Sequence, residues 1–285
     1  MHFYSRIILI VFVCACLFCL KWILETQESW QIRDIQALPT QMGITLDTFL
    51  HVQQLRKQKM KYFCAGTSQA QKVLKSHLSS LVANDKYEVI YCDIPHTGTG
   101  SWKQFLNTIE DKEEITLDSP VSNGHIAAPF TDLRDYNLTM ATRLLQSYTK
   151  IIFMRDPFQR LLLHYLHFFS LQTNFSEFIQ HILNKGHRNN VMWAPLVSLC
   201  YPCHIKYDYI INYHFLREEM HYMMRRLGMF VKVSYSSFDD NTFQGTFKWM
   251  TNRYFHNISK EQKKQLLQYY SPDLLAFHLL KLPWN

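Results

Sequence analysis

A short apolar segment that runs directly into a glycine-rich loop is the feature that most constrains the fold of this chain. Residues 87–94 have the composition of a buried strand, and the loop 95–103 (Pro-His-Thr-Gly-Thr-Gly-Ser-Trp-Lys) follows at once. Helical spacing then extends from Trp102 to Ile109. A strand, such a loop and a helix start present free N–H groups and a helix dipole to an anion. The loop lacks the G-x-x-x-x-G-K-[ST] pattern of nucleoside-triphosphate P-loops, so phosphate binding is one interpretation and an ordinary strand-to-helix turn is the other.

A second strand-to-helix segment carries an arginine at the same kind of position. Lys150–Met154 reads as a short apolar strand, residues 155–161 (Arg-Asp-Pro-Phe-Gln-Arg-Leu) follow it, and a helix is predicted through Ser170. Arg155 then leaves the carboxyl end of its strand, where open α/β sheets bind ligands. Its planar guanidinium can give a phosphate two parallel hydrogen bonds. The alternative is an ion pair of Arg155 with Asp156 or another neighbour.

These two stretches, with a third at Cys200–Asp208 (Cys-Tyr-Pro-Cys-His-Ile-Lys-Tyr-Asp), resemble motifs of one enzyme family. The membrane-bound carbohydrate sulfotransferases, most closely the chondroitin and dermatan 4-O-sulfotransferase group, carry P-K-x-G-x-x-x-W-K, R-[DE]-P-F-x-R-L and C-x-P-C-x-x-x-Y-D in this order. The resemblance covers residues 85–280. It implies transfer of a sulfuryl group from 3′-phosphoadenosine 5′-phosphosulfate to a sugar hydroxyl in the Golgi lumen.

The resemblance also implies which residues hold the donor. The loop is expected to bind the 5′-phosphosulfate, and the arginine is expected to bind the 3′-phosphate. The residues concerned are His96, Thr97, Gly98, Thr99, Gly100, Ser101, Trp102 and Arg155.

Three positions depart from the family pattern. Met192 precedes Trp193 where the family often has His-Trp before the cysteine block. His96 stands where the family has the lysine that supports the leaving phosphate, and Leu163 stands where it has a serine that follows the arginine. Leucine cannot hydrogen-bond a phosphate. His96 can replace a lysine only when protonated, and the ordinary histidine pKa is about 6.5. Bound phosphates and a mildly acidic lumen favour that form, and Lys103 is expected to supply some of the missing charge if the helix start presents it to the donor.

Sulfuryl transfer needs a general base that takes the proton of the acceptor hydroxyl. Three histidines are candidates: His125 between the two motifs, His164 on the helix after Arg155, and His96 if it is neutral. We assign catalytic roles to His96, Lys103 and His125 as the working hypothesis. The 14 histidines of the chain show no metal-ligand spacing, so no metal is predicted.

The N-terminus predicts a membrane anchor. Residues 7–20 are uninterrupted apolar residues, and residues 22–24 extend the run beyond Lys21. The total is near the roughly 20 residues that a spanning helix needs. The flanking charges favour a cytoplasmic N-terminus. We therefore predict a type II protein of the Golgi membrane with a tail at 1–6, a signal anchor at 7–24, a stem at 25–85 and a lumenal sulfotransferase domain at 86–285, and a cleaved signal peptide is the alternative.

The cysteines and the glycosylation sequons agree with a lumenal domain. Four cysteines follow the apolar run, and an even count in an oxidising compartment indicates disulfides: Cys64, Cys92, Cys200 and Cys203. The alternatives for the C-x-x-C pair are a redox motif or half of a zinc site. Sequons begin at Asn137, Asn174 and Asn257.

The fold predicted from this pattern is α/β. The order strand, helix, strand, helix implies a parallel sheet with right-handed crossovers, so we expect a three-layer sandwich with a P-loop-like core. Helices are predicted over 137–148, 215–229 and 262–280, with weaker helical spacing over 45–60 and a strand pattern over 207–213.

The function predicted is that of a Golgi carbohydrate sulfotransferase acting on a glycan or proteoglycan. The net charge of +7 suits an anionic donor and an acidic polysaccharide, and the absence of a long Lys/Arg run disfavours nucleic acid. A catalytically inactive lumenal binding protein with the same fold is the alternative that His96 and Leu163 motivate. A nucleotide kinase with a variant P-loop is the third possibility, and the missing G-K-[ST] argues against it.

Overall fold

The computed structural model describes residues 45–66, 73–108, 114–117, 130–184, 190–229, 232–235, 240–279 and 282–284. The chain divides into two compact units, 1–48 and 49–285, and the architecture below is that of the second. The predicted tail, signal anchor and first part of the stem lie outside the described residues. Within the described ranges, no helix is both long and apolar enough to cross a bilayer.

Helices and strands are interspersed along the described residues from Leu46 onward. In chain order they are α1 (Leu46–Ala65), β1 (Leu81–Asn84), β2 (Val89–Cys92), α2 (Thr99–Thr108), β3 (Glu114–Leu117), β4 (Phe130–Asp132), α3 (Leu138–Ser147), β5 (Thr149–Met154), α4 (Pro157–Phe168), α5 (Phe175–Leu183), α6 (Leu196–Cys200), β6 (Tyr209–Asn212), α7 (Leu216–Arg226), β7 (Lys232–Tyr235), α8 (Asp240–His256) and α9 (Lys260–Ala276). Short 3₁₀ turns cover Lys75–Leu78 and Tyr213–Phe215.

The central sheet has five strands in the order β4-β1-β2-β5-β6. Strands β2, β5 and β6 are parallel, with Ile90 opposite Lys150 and Ile152 opposite Ile210. Strand β1 is antiparallel to both β2 and β4. The α/β prediction is confirmed, but the sheet is mixed rather than wholly parallel, because a four-residue turn joins β1 to β2 and so short a connection permits only antiparallel pairing. Strands β3 and β7 form a separate parallel pair.

The central parallel strands are apolar because both of their faces are covered. Every residue of β2 is buried, and β5 is buried from Ile151 to Met154. Such continuous apolar runs are typical of strands in the middle of an α/β sheet. The predicted stem contributes α1 and β1 to the same folded unit, since β1 pairs with β2.

Polar side chains of helix α1 hydrogen-bond the edge strand β6 of the sheet. The amide of Gln53 accepts from the backbone N–H of Ile210 (2.8 Å) and donates to its carbonyl (3.1 Å), as a neighbouring strand would. Arg56 forms a two-point ion pair with Glu219 of α7 (2.6 and 2.7 Å). The edge strand β6 is thereby protected from pairing with another chain.

The four predicted disulfide cysteines form two bonds, Cys64–Cys203 and Cys92–Cys200. The prediction of structural disulfides is confirmed, and the redox and zinc interpretations of the C-x-x-C pair are wrong because its two cysteines bond to different partners. The first bond ties α1 to the segment before β6. The second ties the end of β2 to the end of α6.

The rest of the Cys200–Asp208 motif is also structural. The Tyr207 hydroxyl donates to the Cys200 carbonyl (2.8 Å). The Asp208 carboxylate accepts from the backbone N–H of Lys150 and pairs with its ammonium, both at 2.8 Å. The last residues of this motif therefore join the starts of β5 and β6.

The helices predicted from the sequence are present within a few residues of their expected ends. Met220, Met223 and Met224 of α7 are buried, as the spacing predicts. On α3, the apolar spacing predicts that Met140, Leu144 and Leu145 share the packed face. Met140 is instead exposed, and Ala141 is buried beside Leu144.

Candidate active site

The glycine-rich loop lies between the carboxyl end of β2 and the first turn of α2. Both of its threonines are buried, and their hydroxyls donate to the Ile94 carbonyl, Thr97 at 2.8 Å and Thr99 at 3.2 Å. These bonds fix the loop from within. The first N–H groups of α2, from Thr99 to Ser101, have no acceptor inside the helix, so they can face an anion.

The two glycines of the loop have different roles. Gly98 has φ +109°, and a β-carbon there would lie 3.1 Å from the Leu216 side chain and 3.2 Å from the Tyr213 ring. Gly98 therefore lets α7 and the turn before it pack onto the loop. A β-carbon on Gly100 would meet no atom within 4 Å, so this side of the helix start is open. That opening is where a ligand can approach the backbone.

Trp102 and Lys103 were predicted to contact the sulfuryl donor, but in the structure their side chains contact other protein groups. The Trp102 indole is fully buried against Phe105 and Phe153, and its backbone N–H donates to the Gly98 carbonyl (3.3 Å). Lys103 is ion-paired with Asp93 at the end of the preceding strand. Trp102 thus anchors α2 in the core, and the charge of Lys103 is held by a carboxylate.

Arg155 lies at the centre of the site. Only 5% of the residue is exposed, and its guanidinium carbon stacks 3.7 Å above the Tyr213 ring. One terminal nitrogen donates to the His96 carbonyl (3.2 Å), while Nε has no hydrogen-bond partner among the described residues. Burial lowers the pKa of Arg155, and neighbouring Tyr213 and Asp156 oppose that shift.

The ion pair of Arg155 with Asp156, which the sequence left open, does not form. The Asp156 carboxylate instead caps α4 by accepting from the N–H groups of Phe158 (2.9 Å) and Gln159 (3.0 Å). Pro157 follows at the first helical position, where its missing N–H costs nothing. Burial raises the pKa of Asp156 to about 6 despite these bonds. Arg155 is consequently a buried cation with no carboxylate in contact in the described part of the chain.

His96 has a left-handed backbone, with φ +65°. Outside glycine this conformation costs roughly 1–2 kcal/mol. Its ring stacks on His167 of α4 at 5.4 Å between centroids and 15° between planes, and His164 lies 6.0 Å away. Burial lowers the pKa of His96 to about 4, and His167, His164, Arg155 and Arg160 add to the effect. The predicted imidazolium is therefore not the state of the free site, because every charge acting on His96 is positive or can become so.

His164 belongs to the core rather than to the open site. It is 5% exposed and lies among the rings of Phe168, Phe169 and Trp193. Burial, followed by His167 and Arg160, lowers its pKa to about 4. The third candidate base, His125, lies outside the described residues.

Leu163, at the position of the family serine, packs against the apolar cluster that surrounds Phe158 and Leu162. Its side chain thus supports the core.

Two residues of α4 join the site without having been singled out in the sequence. Arg160 is fully buried, donates to the Ala194 carbonyl and leaves Nε and one terminal nitrogen without a partner among the described residues. His167 is exposed and stacks on His96. The available signal was the spacing of Arg160, His164 and His167, since residues three and four apart share one helix face.

Within the described stretches, no three His, Cys, Asp or Glu side chains come close enough together to hold a metal ion.

A buried arginine with no carboxylate in contact in the described part of the chain, beside an open helix N-terminus at the carboxyl edge of parallel strands, is an arrangement that can hold a phosphate-containing ligand. Residues 79–279 match the sulfotransferase family, and the chain belongs to that family.

Relatives are carbohydrate sulfotransferases. Carbohydrate sulfotransferase 11 of Rattus norvegicus is 26% identical, with 84% of this chain and 79% of the relative covered. Its Danio rerio counterpart is 27% identical with the same coverage. Carbohydrate sulfotransferase 8 of Mus musculus is 25% identical, with 87% and 68% covered. No solved structure matches the chain. The family resemblance and the prediction of a sulfotransferase enzyme are confirmed.

Proposed function

We propose that this protein is a Golgi carbohydrate sulfotransferase that moves a sulfuryl group from 3′-phosphoadenosine 5′-phosphosulfate to a hydroxyl of a glycan or glycosaminoglycan. The single observation that carries the proposal is Arg155, a buried guanidinium with an unpartnered Nε beside the glycine-rich loop. A buried cation of this kind is unfavourable unless an anion completes its surroundings. The three-layer arrangement with a P-loop-like core is part of the same proposal.

The residues present fit the donor. The loop supplies the open side at Gly100 and the first-turn N–H groups of α2 for the phosphosulfate. Arg155 supplies a guanidinium for the 3′-phosphate, and its contact with the His96 carbonyl places the two parts of the site side by side. Lys103 can add charge only by sharing it with Asp93.

When bound, the donor supplies the sulfuryl group and a phosphate as leaving group. The chain's own contribution is to hold the donor in one orientation and to place positive charge where the leaving group becomes more negative. The helix dipole of α2 and Arg155 are permanent sources of that charge. His96 becomes a third source when phosphates bound nearby favour its protonated form.

The carbohydrate acceptor and the lumenal location rest on the relatives and on surface features. Relatives are named as carbohydrate sulfotransferases. The sequon residues Asn137, Asn174 and Asn257 are all exposed in the fold, as glycosylation requires. Two disulfides suit an oxidising compartment. A single-pass anchor at residues 7–24 and glycosylation of these asparagines stay predictions.

The test is calorimetric binding of 3′-phosphoadenosine 5′-phosphate to the full-length protein in detergent. We expect binding without added metal, and Arg155→Ala is expected to weaken it at least tenfold, since a charge-assisted pair is worth about 1.5–3 kcal/mol. Arg155→Lys should give an intermediate loss because it keeps the charge but not the fork. Arg143→Ala, on the exposed face of α3, is the matched control.

Unchanged affinity in Arg155→Ala would show that the arginine has no part in donor binding. A folded wild-type protein that binds no nucleotide would favour the inactive binding protein with a sulfotransferase fold.

A further inference from the structure

His167 differs from the other histidines of the site in where it lies. It occupies the last turn of α4 and is exposed, whereas His164, one turn earlier, is buried among aromatic rings. The neighbouring Phe168 is 56% exposed and Leu171 is fully exposed. His167 therefore stands at a solvent-facing rim of the site, beside apolar surface that a sugar ring can cover.

The contact between His167 and His96 is close and nearly parallel. Their ring centroids are 5.4 Å apart with 15° between the planes. Two positive charges in such a stack repel each other, so the two rings are suited to different tasks. The inner ring lies beside the glycine-rich loop, where a bound phosphate would favour its charged form, and the outer ring faces solvent, where an acceptor can reach it.

Resting on the proposed function, we propose that His96 and His167 act as a catalytic pair in which His96 bears the positive charge at the leaving phosphate and His167 takes the proton of the acceptor hydroxyl. In the step, the bond from the acceptor oxygen to sulfur forms as the bond from sulfur to the bridging phosphate oxygen breaks. The hydroxyl proton moves to the free ring nitrogen of His167. The leaving phosphate keeps the bonding electron pair, and the products are a sulfate ester and 3′-phosphoadenosine 5′-phosphate.

The groups that face His96 determine the sign of the pH dependence. They are His164, His167 and Arg160 of α4 and Arg155 at the end of β5. All of them oppose a positive charge on His96, and burial acts in the same direction, so His96 is neutral in the free site. A bound bisphosphate reverses that balance. Binding of 3′-phosphoadenosine 5′-phosphate should therefore be accompanied by uptake of a proton. Its affinity should rise as the pH falls below the pKa of His96 in the complex.

The first experiment needs no acceptor. Binding of 3′-phosphoadenosine 5′-phosphate is measured by calorimetry at pH 6.5 in two buffers of different ionisation enthalpy, which reports the protons taken up. Wild-type protein should take up a substantial fraction of one proton, and His96→Lys, which carries a permanent charge, should take up almost none. In His167→Ala the uptake should persist or increase, because a repelling neighbour has been removed.

The second experiment measures transfer of radiolabelled sulfate to unsulfated chondroitin. General-base catalysis contributes about 10²–10⁴-fold, so His167→Ala should lower kcat at least a hundredfold while product affinity stays within about threefold. Exogenous imidazole should restore part of kcat in that variant, because the site is open to solvent. His221→Ala, an exposed histidine of α7, should behave as wild type.

The outcomes separate the two proposals. Absence of nucleotide binding by the wild type contradicts the proposed function itself. Nucleotide binding without proton uptake, or a normal kcat in His167→Ala, overturns the histidine pair and leaves the donor site intact. A loss of kcat that imidazole does not rescue, with a parallel loss of affinity, assigns His167 a structural role instead.

Discussion

The disulfide-bonded corner and the glycine-rich loop are both attached to the end of β2, the corner through the Cys92–Cys200 bond and the loop through the chain itself. They differ in how completely their polar groups are hydrogen-bonded. At the corner, which comprises α6, the Cys200–Asp208 motif and Asp273 of α9, the polar groups are paired. The Asp273 carboxylate accepts from the N–H groups of Leu196 (2.8 Å) and Val197 (2.9 Å), and the Tyr207 hydroxyl donates to the Cys200 carbonyl. In the loop region, by contrast, Arg155 keeps an unpartnered Nε and His96 has a left-handed backbone.

The corner has the properties of a region that stabilises the fold, whereas the loop region has the properties expected of the proposed donor site. Buried groups that are fully hydrogen-bonded make a rigid support. Unpaired donors and backbone strain persist only where the surrounding structure enforces them, and they are common at functional sites. Arg160 connects the regions, since it lies in the same helix as His167 and its charge acts on both His96 and Asp273.

The largest expected effect comes from breaking the corner. Asp273→Ala removes the cap of α6 and the carboxylate that interacts with the fully buried Arg160. Removing one partner of buried charges costs about 3–5 kcal/mol, so the free energy of unfolding in urea should fall by roughly that amount. Asp135→Ala, on an exposed turn, is the control. A loss below 1 kcal/mol in Asp273→Ala would contradict the view of this corner as the stabilising region.

A second test uses the pH dependence of the free energy of unfolding. The pKa of His164 is lowered to about 4, so the folded state binds fewer protons than the unfolded state, and stability from this group is lost as the pH falls from about 6.5 towards 4. The pKa of Asp156 and that of Asp273 are both raised to about 6, and their contribution runs the other way: it is present at low pH and is lost as the pH rises through 6. The histidine and aspartate effects therefore oppose each other between pH 4 and 6.5.

His164→Phe removes the titrating group whose lowered pKa makes the fold less stable at acidic pH. When the pH is lowered from 7.5 to 5, the free energy of unfolding of the variant should increase by about 1–2 kcal/mol relative to that of wild type. Urea unfolding at both pH values measures this change. His221→Phe, on an exposed helix face, supplies the matched comparison. If the two variants show the same pH dependence, His164 does not titrate abnormally.

The smallest expected effect on stability lies in the loop itself. His96→Gly relieves a left-handed conformation worth roughly 1–2 kcal/mol but adds freedom to the unfolded chain worth about 0.5–1 kcal/mol. The net result should be a gain of about 0.5–1 kcal/mol in the free energy of unfolding, together with lower turnover. A stabilised variant with full activity would show that the strain at His96 has no functional purpose.

Much of the fold could be predicted from the chain because its signals are local. The apolar runs of β2 and β5, the Asp-Pro start of α4 and the methionine face of α7 each identify an element without reference to the rest. The hairpin that makes the sheet mixed was missed, because β1 has only four residues and lies in a segment interpreted as stem.

The site could be predicted only in part. The loop and Arg155 were both predicted to hold the donor, and the structure places them in contact. The packing of Trp102 into the core, the pairing of Lys103 with Asp93 and the stack of His96 on His167 were not, because each joins residues whose relative position depends on how α2 and α4 pack.

The α/β class, the place of the glycine-rich loop after a buried strand, the family and the presence of disulfides could all be inferred from the sequence, because each of these depends on residues that are near one another in the chain. The pairing of the cysteines, the lack of a carboxylate beside Arg155 and the neutral state of His96 in the free site became visible only in the folded chain. Those properties depend on burial and on charges from distant segments, and the electrostatic effect of a buried group is set by its three-dimensional surroundings.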